Sequence, residues 1–223
     1  MIAMPTSNQE LLNLCENIAG HSLQELAEMA GIKMAKDLRT NKGWVGQLIE
    51  WHLGATAGSK PEQDFKHLGI ELKTIPIDHA GKVLETTFVC SAPIINTTGL
   101  TWENSNIRNK LSQVLWVPVQ GERSIALKER IVGNGFLWRA TASQEQLLKA
   151  DWNELMEKIA LGEIESISAR DGEVLQLRPK AANGKALTDA FDHKGNIIKV
   201  RPRGFYLKKN FTQSIINLQF DLK

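Results

Sequence analysis

Asp64, Glu71 and Lys73 are the residues of this chain whose types and spacing could do chemistry together. Residues 68–73, LGIELK, alternate as a half-buried strand does, with Leu68, Ile70 and Leu72 on one face and Glu71 and Lys73 on the other. Side chains two apart on a strand stand about 7 Å apart on one face, so a carboxylate and an ammonium share one wall. Asp64 lies just upstream, and the turn at Gly69 lets it bend back toward Glu71. Converging carboxylates repel each other unless a cation sits between them, and hard oxygen ligands call for Mg2+ with waters completing its shell. An ammonium beside them stabilises charge on an attacked phosphate or helps prepare a water, which suits metal-assisted phosphodiester hydrolysis. Charged residues also commonly line the wet face of a strand, and spacing alone leaves both readings open.

The elements around this stretch must position it. Residues 43–53 read as a helix with Trp44, Val45, Leu48, Ile49, Trp51 and His52 as its packing surface. Glu50 falls on another side, near Gly43, Gly46, Gln47 and Gly54 at helical spacings. Glycine inside a helix costs about 1 kcal/mol relative to alanine, so glycines beside one acid suggest close approach of a backbone or a ligand. Glu50 would then reach the metal site from a neighbouring helix; a solvent-facing glutamate on a tightly packed helix is the other reading. Residues 54–61, GATAGSKP, are small and rich in exposed amides, without the glycine-lysine-serine order of a phosphate-binding loop.

Before that helix, Ser7 to Glu10 and Ser22 to Glu25 read as capping boxes opening two short helices, stopped by Gly20 and Gly31. After the Glu71 strand, a turn from Asp78 to Gly81 precedes a strand over 84–89, continuing into 90–95. Residues 102–110 are polar and capable of short helix, and 111–119, LSQVLWVPV, read as a core strand broken near its end by Pro118. A hairpin-like pair at 125–127 and 130–132 and a strand at 136–138 follow. The longest helix runs from Ser143, paired with Gln146, through Leu161. Short strands at 164–169 and 173–178 would join through Asp171-Gly172. Residues 186–191 read as a helical turn, 204–208 as a strand, and 211–220 as a last amphipathic helix.

With 223 residues the chain can form one domain with two lobes. No apolar run reaches membrane-spanning length, and the start MIAMPTSNQE has no basic segment followed by an apolar one, so a cytoplasmic protein without membrane attachment is expected. Cys15 and Cys90 are far apart and flanked by apolar residues, which favours two buried thiols over a disulfide or a zinc site. Residues 170–223 hold eleven Lys/Arg against five Asp/Glu, while the remainder holds 16 against 20. A basic last quarter beside a carboxylate-bearing first half fits a polyanion held by one part and cut by the other. Within that quarter, Leu177-Arg178-Pro179-Lys180, Arg201-Pro202-Arg203 and Tyr206-Leu207-Lys208-Lys209 bring cations, prolines and an aromatic to strand ends and loops. Arginine there can read guanine and lysines hold the backbone, with Tyr206 against a base; ordinary solvated cations over a packed tyrosine are the plainer reading.

The chain resembles the MutH family of strand-nicking endonucleases of methyl-directed DNA mismatch repair. The resemblance rests on Lys42-Gly43-Trp44-Val45-Gly46, residues 53–60, Glu62-Gln63-Asp64-Phe65, Glu71-Leu72-Lys73-Thr74, residues 84–89, Leu177-Arg178-Pro179-Lys180 and residues 204–209, and it runs over nearly the whole sequence. It implies an α/β fold like that of type II restriction endonucleases: a mixed central sheet flanked by helices, in two arms around a DNA-binding cleft. That would be a single endonuclease domain over 1–223, with the Asp64 lobe catalytic and residues from about 164 to 223 contributing recognition. The implied activity is Mg2+-dependent nicking of the unmethylated strand 5′ to the G of hemimethylated GATC in double-stranded DNA, by a monomer activated by MutL after MutS finds a mismatch.

The resemblance also assigns residues. Asp64 and Glu71 would bind one or two Mg2+, with the Leu72 carbonyl as a further ligand and Glu50 as a carboxylate from the helix. Lys73 would be the catalytic lysine and Lys110 an auxiliary near the cleaved strand. Arg178, Pro179 and Tyr206 would form the recognition and methylation-sensing group, and Lys42, Phe88 and Lys208 would face DNA. Where the family pattern carries histidines, this chain has Asn106 and Asn109, which puts a histidine proton carrier there in doubt. A stand-alone GATC restriction nuclease and a methylation-sensing DNA-binding protein without catalysis are the rival readings.

Overall fold

The computed structural model describes residues 3–38, 41, 43–58, 60–180 and 186–221. In chain order the elements are helices α1 (Asn8–Ile18), α2 (Leu23–Ala30) and α3 (Trp44–Leu53), strands β1 (Glu71–Ile77) and β2 (Thr87–Ser91), helix α4 (Asn106–Leu111), strands β3 (Val114–Gln120) and β4 (Phe136–Trp138), and helix α5 (Ala142–Ala160). Strands β5 (Leu175–Pro179), β6 (Thr188–Phe191), β7 (Ile197–Val200) and β8 (Arg203–Leu207) and helix α6 (Lys209–Phe220) complete the fold. The chain divides into two compact units: unit 1 is Met1–Glu85, Ser112–Arg139 and Ile215–Lys223, and unit 2 is Thr86–Leu111 and Ala140–Ser214.

Unit 1 is organised on a mixed three-stranded sheet in the order β1-β3-β4. Strand β3 lies parallel to β1, Glu71 opposite Val114 and Lys73 opposite Trp116, and antiparallel to β4. Its run VLWVPVQ is buried along almost its whole length, as a central strand covered on both faces must be. Leu11, Cys15, Leu26, Leu48 and Ile49 from the three helices form one core with Phe65, Ile70, Leu115 and Val117. Helix α2 has both halves of the expected capping box and ends on left-handed Gly31. In α1 only Ser7 caps as expected; the Glu10 carboxylate reaches Thr6 instead.

Unit 2 holds the antiparallel sheet β2-β8-β5 and the hairpin β6-β7. Helix α5 anchors this sheet through Asp151, a buried carboxylate that accepts the backbone N–H groups of Glu173, Val174 and Leu175 just where β5 begins.

Several local expectations change. The strand expected from Leu68 starts at Glu71, because residues 66–68 form one 3-10 turn that left-handed Gly69 redirects. The strand expected over 84–95 shortens to β2, since the Leu84 N–H bonds Pro76 O and the ladder with β8 spans Thr87–Ser91, with a register shift between Phe88 and Cys90. The expected 111–119 strand begins at Val114, because Leu111 ends helix α4 and Ser112 and Gln113 bend, and Pro118 sits inside β3 opposite Ile75 without breaking it. No hairpin forms at 125–132: residues 127–129 make a 3-10 turn, while Ile131 and Val132 bridge to Ser22 and Val119. Helix α5 is capped by Thr141 with Gln144, not by Ser143 with Gln146. The strand expected over 164–169 is a series of turns, one of them closed by Asp171, whose carboxylate accepts the Ser168 N–H. The helical turn expected at 186–191 is strand β6, paired with β7 because Asp192 accepts the N–H groups of Lys194 and Asn196 and Gly195 takes a positive φ.

Candidate active site

The chemistry-bearing stretch folds as a very short hairpin feeding the first strand. Phe65 and Ile70 exchange backbone hydrogen bonds, Phe65 N to Ile70 O at 2.9 Å and Ile70 N to Phe65 O at 3.2 Å. That closure brings Asp64 back beside the head of β1, where Asp64 Oδ2 accepts the Leu72 N–H at 2.8 Å. Glu71 and Lys73 share a face as the period of two requires, and Lys73 Nζ lies 2.6 Å from Glu71 Oε1. The Glu71 side chain is only 2% exposed and that of Lys73 15%, so this face is not the wet one that a plain surface strand would have. Glu71 pairs with Lys73, while the Asp64 carboxylate, also buried, is held on the Leu72 N–H.

Unforeseen residues support this geometry. Gln63 is buried and its Nε2 donates to Gly69 O at 2.8 Å and Ser112 Oγ at 3.0 Å, tying the hairpin to the residues before β3. Glu71 N donates to the Gln113 carbonyl at 3.0 Å, and the Gln113 side-chain oxygen accepts from the Arg139 guanidinium. A glutamine beside an aspartate carries no sequence signal of such a role; its partners are 6 and 49 residues away.

Glu50 stands on α3, half-buried, with its Oε1 3.9 Å from where a Cβ on Gly46 would be. A Cβ there would be in ordinary van der Waals contact, so among the described residues no backbone crowds Gly46. The close backbone approach is at Gly54, whose added Cβ would lie 2.8 Å from Ala3 O. Lys42 falls outside the described residues. Lys110 is a buried lysine on α4 of unit 2. Asn106 and Asn109 both lie on that helix. The two cysteines are free and buried, and burial pushes the Cys15 thiol up to about 12.

Among the described residues no three His, Cys, Asp or Glu side chains form a ready-made metal cage. The donor set of Asp64 and Glu71 nevertheless fits a small divalent cation. Its oxygens are hard, and Mg2+ is commonly held by one or two carboxylates with water and phosphate oxygens filling the remaining positions.

In unit 2, three of the expected recognition residues, Phe88, Arg178 and Tyr206, meet on one face of the β2-β8-β5 sheet. Phe88 and Tyr206 sit opposite each other in register with ring centroids 5.3 Å apart in an edge-on contact. The Arg178 guanidinium lies 5.5 Å from the Tyr206 ring centroid, its Nη1 donates to Thr86 Oγ1 at 2.9 Å, and Lys180 Nζ is 4.2 Å from the Phe88 ring centroid. Burial raises the Tyr206 hydroxyl above its ordinary value, with the Arg178 charge opposing. Gly204, opposite Arg178, lets the Phe88 ring sit where it does: an added Cβ would lie 2.7 Å from Phe88 Cε2 and force the ring to shift. Pro179 is exposed at the end of β5. The Lys208 ammonium donates to the carbonyls of Arg170 and Gly172, bracing the turn before β5.

A mixed α/β unit with paired buried carboxylates and a lysine at the head of one strand, together with an aromatic and cationic sheet face, defines the class of restriction-endonuclease-like phosphodiester hydrolases. The family model described as DNA mismatch repair enzyme MutH matches residues 53–151, which include Asp64, Glu71, Lys73, Phe88 and Lys110. The DNA mismatch repair protein MutH of Vibrio cholerae serotype O1 (strain M66-2) is 62% identical over 212 residues, 95% of this chain and 96% of the relative. Those of Vibrio campbellii and Serratia proteamaculans are 59% and 56% identical, covering 95% and 97% of this chain and 94% and 95% of their own lengths. The chain belongs to the MutH family of DNA mismatch repair endonucleases. No helix among the described residues is long and apolar enough to cross a membrane.

Proposed function

We propose that this endonuclease nicks the unmethylated strand of hemimethylated GATC duplexes, 5′ to the G, in a Mg2+-dependent hydrolysis that leaves a 5′-phosphate and a 3′-hydroxyl. The observation that carries the reading is the Glu71–Lys73 contact of 2.6 Å beside Asp64, itself fixed on the Leu72 N–H. Asp64 and Glu71, with the Leu72 carbonyl and Glu50, would hold one or two Mg2+, whose chemistry when bound is to polarise the phosphate and acidify a water. Glu71 and Asp64 orient the attacking water. Lys73 donates to a non-bridging phosphate oxygen as negative charge grows on it, and Lys110 assists near the cleaved strand. The water oxygen bonds to phosphorus as it releases a proton to solvent, the bond from phosphorus to the 3′ oxygen breaks, and that oxygen takes a proton from a neighbouring water.

Base recognition belongs in this reading to unit 2. Arg178 reads a base edge, the Pro179 backbone and Tyr206 pack against adenine N6 closely enough to reject a methyl group, and Phe88, Lys42 and Lys208 face the duplex. Losing one bidentate-quality base contact costs about 1–3 kcal/mol, so binding selects modestly and catalysis amplifies the choice. The protein works as a cytoplasmic monomer and is activated by MutL, downstream of MutS.

The test is nicking of a supercoiled plasmid with a single GATC site, in unmethylated, hemimethylated and fully methylated forms, with and without Mg2+. The unaltered protein should nick the first two only when Mg2+ is present, and Lys73→Ala should lose about 10²–10⁴-fold of that rate while still binding DNA. Equal rates on all three forms, or full activity of Lys73→Ala, would sink the reading. Efficient double-strand breaks without a repair partner would identify a stand-alone restriction nuclease, and methyl-sensitive binding without cutting a non-catalytic sensor.

A further inference from the structure

Arg178 is a long, exposed side chain at the end of an outer strand, a setting in which an arginine ordinarily samples many rotamers. Here three constraints fix it. Its backbone is held in register opposite Gly204 of β8. Its guanidinium lies over the Tyr206 ring of that same strand. Beyond the ring, Nη1 donates to Thr86 Oγ1 at 2.9 Å, a bond that crosses β8 diagonally and joins residues 92 apart in sequence. Thr86 immediately precedes β2, whose Thr87 is in register with Leu207, so its hydroxyl is anchored to the same sheet.

We propose that Thr86 is a positioning residue for base recognition: its hydroxyl oxygen sets the rotation and reach of the Arg178 guanidinium across the Tyr206 ring. This rests on the reading of Arg178 as the base-reading cation and adds the group that aims it. A guanidinium carries five N–H groups in a rigid planar fork. One is committed to Thr86, and a bidentate contact to a guanine edge needs only two more. Because the fork is planar, fixing one N–H at the hydroxyl and the plane against the ring also fixes where the others point. An arginine held this way loses less freedom on meeting a base, and it tolerates a displaced or wrong base poorly.

The experiment compares nicking of the single-GATC duplex with duplexes changed at one base of the site, for the unaltered protein, Thr86→Val, Thr86→Ser and Thr86→Ala. Valine keeps the branched shape and removes the acceptor; serine keeps the acceptor. Thr86→Val should raise KM for the cognate duplex and lower the cognate-to-altered ratio of kcat/KM by about tenfold. Thr86→Ser should retain the ratio within about threefold, because the hydroxyl persists. In an Arg178→Ala background, Thr86→Val should change the ratio no further. A ratio unchanged in Thr86→Val, or an equal loss in Thr86→Ser, would overturn the assignment. Should Thr86→Val fail to fold, Thr86→Ala carries the same expectation and the same refutation. If the unaltered protein shows no preference for GATC, the functional reading falls and the inference with it; a preference that Thr86→Val and Thr86→Ala retain removes the inference alone.

Discussion

In unit 1 the chemistry-bearing side chains Asp64, Glu71 and Lys73 come from ten consecutive residues, and a hairpin closed by two backbone hydrogen bonds folds them together. In unit 2 the residues proposed to read bases, Phe88, Arg178 and Tyr206, come from three strands, and sequence separates Phe88 from Tyr206 by 118 positions. The first group is buried and held by backbone N–H groups and a glutamine; the second is half-exposed and held by ring contacts and one hydroxyl. Hydrolysis requires reacting groups fixed to a fraction of an ångström, which burial and backbone bonds supply. Reading a duplex requires side chains that remain reachable by a partner as large as themselves, so rigidity must come from neighbours that leave the tips in solvent.

Three changes probe that contrast, the largest first. Asp64→Asn removes the anionic acceptor of the Leu72 N–H while keeping its shape. Nicking should fall by about 10²–10⁴-fold in kcat with KM for DNA little changed. A rise in KM with kcat intact would place Asp64 in DNA binding and break the division between the two units. Asp151→Ala should act on framework alone, by stranding the buried N–H groups of Glu173, Val174 and Leu175. A loss of about 3 kcal/mol is expected in urea denaturation. Hydrogen exchange should locate it in β5, with β1 amides retaining their protection; uniform loss across both units would show that they unfold together.

The smallest effect concerns pH. The Lys158 ammonium, ahead of the Ser168 N–H and hydroxyl, holds the Asp171 carboxyl well below its ordinary value of 3.8. Lowered in the folded state, this group contributes stability above the unfolded-state value and loses it as the pH falls below about 4. The difference in melting temperature between the unaltered protein and Asp171→Asn should therefore be present at pH 6 and shrink progressively as the pH falls below about 4. A difference independent of pH would mean that Asp171 acts by packing and not by charge.

The legible part of the candidate site was the local part. A period of two in ELK placed Glu71 and Lys73 together, and a glycine turn returned Asp64 to them, because strand pleat and left-handed glycine are properties of a few adjacent residues. The capping box of α2 was readable for the same reason. The starting point of β1 is not legible in the sequence, because apolar alternation at Leu68 and Ile70 is equally satisfied by a turn that buries Ile70 against Phe65. Strand β6 was missed because a four-residue strand has too short a pattern to outweigh a helical turn, and it exists only because β7 pairs with it. Pro118 looked like a break, yet β3 accommodates it opposite Ile75.

What this sequence determined by itself is therefore local: two carboxylates and a lysine on one short strand approach, a basic last quarter, and motif blocks that resemble one family. Only the tertiary structure decided that Glu71 is buried, that Gln63 pins the hairpin to Ser112, and that Thr86 meets Arg178 across Tyr206. The physical reason is range. Dihedral preferences and side-chain periodicity act between near neighbours in the chain, whereas burial and long-range hydrogen bonds depend on which distant segments the core brings side by side.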